Sequence, residues 1–137
     1  MSQRKKVLVF RALPPDLLAR IEALLDVQQA DPRRPEQVPR FRELLADAQG
    51  MIGSSVKVGA AELALAPKLE VISSISVGVD NYDLAAMKAR GLLLCHTPGV
   101  LTETTADTVF SLVLLASRRL VELANHVREG RWTKNIG

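Results

Sequence analysis

Apolar residues along this chain fall into short unbroken runs, separated by segments in which they recur every three or four positions. Val7-Leu8-Val9-Phe10 is a run of the first kind, without a polar break, as a parallel strand covered on both faces requires. Pro14-Pro15-Asp16 opens a segment of the second kind: Leu17, Leu18, Ile21, Leu24 and Leu25 recur at helical spacing, and proline is tolerated in a first turn. This helix is predicted to run to about Leu25. A weak strand follows near Val27, and the prolines of Asp31-Pro32-Arg33-Arg34-Pro35 mark a loop. Phe41, Leu44, Leu45 and Ala48 predict a second amphipathic helix, ended by Gly50. The alternation continues with a strand over 51–54, a short helix over 60–65, a strand over 69–75, a helix over 84–90 stopped by Gly91, and a strand over 92–95. Five strand-helix units predict an α/β fold on a doubly wound, five-stranded parallel sheet.

The last segment is different. Nothing interrupts the helical spacing from Thr102 to about Glu129, and Val109 to Ala116 is apolar around nearly the whole circumference except at Ser111. Such a helix is expected to be buried all round. Thr104 and Asp107 form an expected capping pair, Glu103 and Asp107 supply the negative charge that the amino end of a helix favours, and Gly130 is the expected stop. At roughly 1.5 Å per residue, a helix over 102–129 would be about 42 Å long. One small sheet cannot cover that length, so the helix is expected to reach a partner subunit or another domain. The predicted division is a sheet domain over 1–101 and a long linker and dimerisation helix within 102–137, with a homodimer built on it.

Composition narrows the function without changing this picture. The chain has 137 residues, 47% of them hydrophobic, enough for one full core. Aromatics are scarce, which suits helices on a buried sheet better than a β-sandwich. The net charge of +3 is spread without a basic run, which argues against nucleic acid as a partner. A lone cysteine, Cys95, excludes an internal disulfide and a thiolate-cluster metal site, and no metal is expected. The basic start, Met1-Ser2-Gln3-Arg4-Lys5-Lys6, leads into an apolar run too short for a signal-peptide core or a membrane span. A cytoplasmic protein with no membrane association is the expectation.

Candidate chemistry gathers after the fourth strand, in Ile75-Ser76-Val77-Gly78-Val79-Asp80-Asn81. Open α/β sheets bind ligands beyond the carboxyl ends of their strands. A glycine there permits positive φ and a close approach of ligand to backbone, and successive N–H groups can hold a carboxylate without a charged side chain. Gly78 could equally serve only to turn the chain into the next helix, with Asp80 or Asp83 capping it.

Ser76-Val77-Gly78-Val79-Asp80, followed by Thr97-Pro98-Gly99-Val100-Leu101-Thr102, Thr105-Ala106-Asp107, Arg118-Arg119 and Gly130-Arg131-Trp132, resembles the D-2-hydroxyacid dehydrogenases of the glyoxylate/hydroxypyruvate or 2-ketogluconate reductase type. The resemblance covers essentially the whole chain, in order. It implies the amino-terminal, substrate-side part of such an enzyme, with a flavodoxin-like fold. The backbone at Val77 and Gly78 would then receive the substrate carboxylate, with Ser76 beside it and Ser55, in the loop Ser54-Ser55-Val56-Lys57, lining the same cleft. The segment from Leu101 to Thr105 would be a hinge facing the nicotinamide of NADPH or NADH. The long helix would dimerise, and Trp132 would reach the neighbouring subunit's active site.

The same family next carries a Gly-x-Gly-x-x-Gly turn, an arginine that orients the keto acid and a histidine acid/base, and none of these is in this sequence. His96 reads as a core or strand-end histidine, and His126 as an exposed or interface residue on the last helix. Catalytic residues are therefore expected to be absent, and the chain alone inert. Cys95 closes an apolar strand and reads as a buried structural cysteine. A phosphate-accepting receiver domain shares the alternation but needs acidic residues where Arg11-Ala12 and Ser54-Ser55 stand. A non-catalytic dimerisation or ligand-binding module remains the alternative.

Overall fold

A computed structural model describes residues 4–135. The chain divides into two compact units, the first ending at Pro98 and the second starting at Gly99.

The first unit is the alternating part of the sequence. Its strands are β1 (Lys6–Val9), β2 (Asp26–Gln29), β3 (Gly50–Gly53), β4 (Val71–Ser74) and β5 (Leu93–Cys95). Between them run α1 (Pro15–Glu22), α2 (Val38–Leu45), α3 (Ala60–Leu65) and α4 (Leu84–Ala89), with a 3-10 turn, Pro35–Gln37, leading into α2. All pairings are parallel, in the order β2-β1-β3-β4-β5, the doubly wound arrangement expected. Helix α1 stops at Glu22 and α2 at Leu45, both short of the lengths the apolar spacing suggests, because the residues beyond them turn the chain into the next strand.

One face of the sheet holds the core. Leu8, Phe10, Met51 and Ile72 pack there against Phe41 and Leu45 of α2, Leu63 of α3 and Met87 of α4. Gly53 permits this packing, since a Cβ on it would lie 2.6 Å from the Phe10 ring. The other face, which α1 overlies, leaves an open apolar groove of about 440 Å³ bounded by Leu17, Leu24, Ile52 and Ile75. Cys95 is exposed rather than buried. It sits on the edge strand, opposite Ser73 of this second face, whereas its neighbour Leu94 packs on the core.

The second unit departs further from expectation. The long helix is two, α5 (Thr102–Ser117) and α6 (Leu120–Arg128). Arg119 breaks it with φ at 51°, a left-handed value that costs an L-residue about 1–2 kcal/mol. Around the break the Ser117 hydroxyl donates to the Leu114 carbonyl at 3.2 Å. The Arg119 guanidinium grips Glu122 through two hydrogen bonds of 2.8 and 2.5 Å at the start of α6. That grip raises the Arg119 pKa and lowers that of Glu122. Thr104 does not cap α5 either: as the third helical residue it is too far in, and its hydroxyl donates to the Leu101 carbonyl. Gly130, at φ 66°, does end α6, with Gly130 N–H bonded to Val127 O and Arg131 N–H to His126 O. Helix α5 has no buried residue, contrary to the reading that it is buried all round; Phe110 is 65% exposed and Leu112 59%. No helix among the described residues is long and apolar enough to cross a membrane.

Candidate functional site

The two edges of the sheet are finished differently. At the amino edge charges pair: Lys5 with Glu70, and Lys6 and Lys68 with Asp47. Hydrogen bonds from Lys68 and Lys6 pull the Asp47 pKa from 3.8 to about 2, and Lys5 lowers that of Glu70.

At the carboxyl edge three loops are stitched together. The Ile75 N–H bonds to Gly53 O at 3.0 Å, joining the ends of β4 and β3. Further out, Val58 N–H bonds to Asn81 O at 2.8 Å and Asp83 N–H to Val58 O at 3.2 Å, so the loops after β3 and β4 run side by side. From the end of β5, Thr97 N–H bonds to Ser76 O at 3.1 Å and His96 Nδ1 lies 2.9 Å from Val77 O. Ser76 Oγ donates to Gly78 O at 3.3 Å. Three successive carbonyls, of Ser76, Val77 and Gly78, are thus engaged. The N–H groups of Val77, Gly78 and Val79 have no acceptor among the described residues.

Of the residues singled out in the sequence, Ser76, Val77 and Gly78 form this loop and Ser55 lies in the loop beside it. Ser55 is exposed with φ at 60°, an unusual state for a non-glycine residue and one that concentrates at functional sites. Gly78 is exposed but does not have positive φ, so conformational licence is not the reason for glycine there. Its added Cβ would meet only Asp80 Oδ2, at 3.0 Å, so the position is open to solvent rather than packed. Asp83, not Asp80, caps α4, accepting from Ala86 N–H at 2.9 Å. Leu101, Thr105 and Trp132 belong to the other unit. Leu101 precedes α5, Thr105 lies in its first turn, and Trp132 follows α6 beside Leu123 and Val127.

Two buried hydroxyls near this edge, Ser74 Oγ and Tyr82 OH, have no partner among the described residues. Neither stood out in the sequence. The sequence offers His96 as a core or strand-end histidine; the β4–β5 register brings it beside the loop, exposed at the strand end and not in the core.

Residues 7–129 match the model of the D-isomer specific 2-hydroxyacid dehydrogenase catalytic domain. The chain belongs to that family. Glyoxylate/hydroxypyruvate reductase B of Klebsiella pneumoniae is 51% identical over 134 residues, 98% of this chain and 42% of that relative. A solved Thermus thermophilus protein is 37% identical, with a TM-score of 0.73 over 96% of this chain and 42% of its own. The NADPH-dependent glyoxylate/hydroxypyruvate reductase of Sinorhizobium meliloti, solved in complex with NADP and malonate, is 28% identical, with a TM-score of 0.72 over 95% of this chain and 40% of its own. The chain thus spans well under half the length of these family members. The family model and structural neighbours account for the α/β sheet, and the relatives named for glyoxylate and hydroxypyruvate mark it as 2-hydroxyacid dehydrogenase sequence.

The dinucleotide used by such enzymes needs a cradle for its pyrophosphate, normally the open amino end of a helix. In the sheet unit those ends do not fit it. A Glu62 carboxylate oxygen accepts from Gly59 N–H at 2.9 Å at the start of α3, Asp83 caps α4, and α1 and α2 have proline in their first turns.

Proposed function

We propose that the sheet unit is the substrate-binding part of an oxidoreductase that reduces small 2-keto acids, such as glyoxylate, hydroxypyruvate or 2-ketogluconate, to D-2-hydroxy acids with NADPH or NADH. The observation that carries this reading is the row of acceptor-free N–H groups at Val77 and Gly78, on the edge of the sheet where ligands bind. A carboxylate accepts from two such groups at once, with the exposed Ser55 on the loop beside them, while the Ser76 hydroxyl, donating to Gly78 O, braces the loop. That the relatives are glyoxylate/hydroxypyruvate reductases by name supports the substrate class.

The cofactor is assigned to sequence this chain does not carry, in keeping with the self-capped helix ends of the sheet unit. In a protein of the relatives' length, Leu101 and Thr105 would face the nicotinamide. Residues 1–101 would form the substrate side and 102–137 the linker and dimer helix, with Trp132 near the partner's active site. The exposed apolar side chains of α5 support a homodimer. The chain alone is proposed to be inactive.

The test is a polypeptide of the relatives' length carrying this chain, assayed with glyoxylate, hydroxypyruvate and 2-ketogluconate against both cofactors. Gly78→Val should raise KM for keto acid by at least ~100-fold, the loss of two charge-assisted hydrogen bonds, with cofactor affinity nearly unchanged. An unchanged KM in the folded variant moves the carboxylate elsewhere. Saturable NADPH or NADH oxidation by the 137-residue chain itself would overturn its inactivity.

A further inference from the structure

We infer that His96 is a positioning residue: through Nδ1–H it holds the Val77 carbonyl and thereby aims the Gly78 N–H at the substrate carboxylate. The inference rests on the carboxylate reading of this loop, and adds to it the group that sets the loop's orientation.

A carbonyl oxygen can only accept, so at 2.9 Å the His96 Nδ1 must carry the proton. The contact therefore selects the imidazole form protonated on Nδ1. Val77 C=O and Gly78 N–H belong to one peptide plane, and that peptide is trans, so the two groups point in opposite directions. Fixing the carbonyl toward His96 fixes the N–H away from it. The preceding plane is held in the same way, since Thr97 N–H takes Ser76 O at 3.1 Å and so orients the Val77 N–H. Two successive residues at the end of β5 thus set two successive amides after β4. The backbone bond from Thr97 needs no particular side chain. The bond from residue 96 does, because only a side-chain donor reaches Val77 O.

His96 is exposed at the strand end, so packing does not explain its identity. Asparagine places its amide nitrogen where histidine has Nδ1, whereas leucine has no donor. The pair H96N and H96L therefore separates donation from bulk.

The experiment uses the isotopically labelled chain, with oxamate as an unreactive 2-keto acid analogue. Imidazole nitrogen spectra should show His96 protonated on Nδ1; a form protonated only on Nε2 overturns the contact. Oxamate should shift the Val77 and Gly78 amides, H96N should bind it within about twofold of the parent, and H96L about tenfold more weakly. Equal binding by H96L and the parent, or equal loss in H96N and H96L, overturns the positioning role. Failure of the parent's amides to respond to oxamate instead strikes at the carboxylate reading. The His96 contact is then judged separately by the ligand-free Gly78 amide, which should move in H96L and not in H96N.

Discussion

The sheet unit and the helical unit are built from equally apolar sequence and end in opposite states. In the first, Leu8, Phe10, Leu45 and Ile72 are almost wholly removed from water; in the second, Val109, Phe110, Leu112 and Val113 are each more than half exposed. Hydrophobic spacing predicts which face of an element seeks cover. It does not say whether the covering surface lies in the same chain. The sheet unit supplies its own cover by returning α2, α3 and α4 to one face, whereas α5 has no buried residue.

The sharpest way to break this contrast is to make the same change on both sides of it. Leu45→Ala should cost about 2–5 kcal/mol in denaturant unfolding, since the cavity left beside Phe10 and Met51 cannot collapse easily. Leu112→Ala, measured at low protein concentration, should stay within about 0.5 kcal/mol. Equal costs would mean that α5 is covered after all.

The second test asks what covers it. Light scattering at high concentration should report about twice the 15.0 kDa chain mass, and Leu112→Glu should return the chain to a monomer. A parent chain that stays monomeric and soluble would remove the proposed dimer.

The smallest effect belongs to the paired edge of the sheet. Asp47 is held at about 2, below its ordinary 3.8, so its pairing with Lys68 and Lys6 stabilises the fold above the unfolded value and is lost as pH falls through about 2. Asp47→Asn should make acid unfolding, followed by circular dichroism, shallower over that window. Because the pair is exposed the change is small, and any shift in unfolding near neutral pH that salt leaves untouched would contradict its surface character.

What could be read from the sequence was what local chemistry decides. Unbroken runs such as Val7-Leu8-Val9-Phe10 mark strands, and Gly91 and Gly130 stop helices through left-handed turns, whereas the cap of α4 was narrowed only to Asp80 or Asp83 until the structure showed Asp83. What could not be read depends on distant partners. Arg119 adopts a left-handed break with no glycine or proline to announce it, beside a grip on Glu122. Cys95 reads as buried from its apolar neighbours, but it lies on an edge strand facing the sheet's open side. In the candidate site, the loop at Gly78 was legible from its place after a strand. The role of His96 was not, since it exists only through the pairing of β4 with β5.

The placement of Tyr82 and Trp132 has an optical consequence. They are the chain's only tyrosine and only tryptophan, and one falls in each unit. Tyr82 is 6% exposed inside the sheet unit's core, and Trp132 is 61% exposed after α6. Tryptophan emission, excited beyond the tyrosine band, therefore reports on the helical unit alone. Without any added label, the helical unit can be melted or titrated by its own fluorescence while far-ultraviolet circular dichroism follows the chain as a whole.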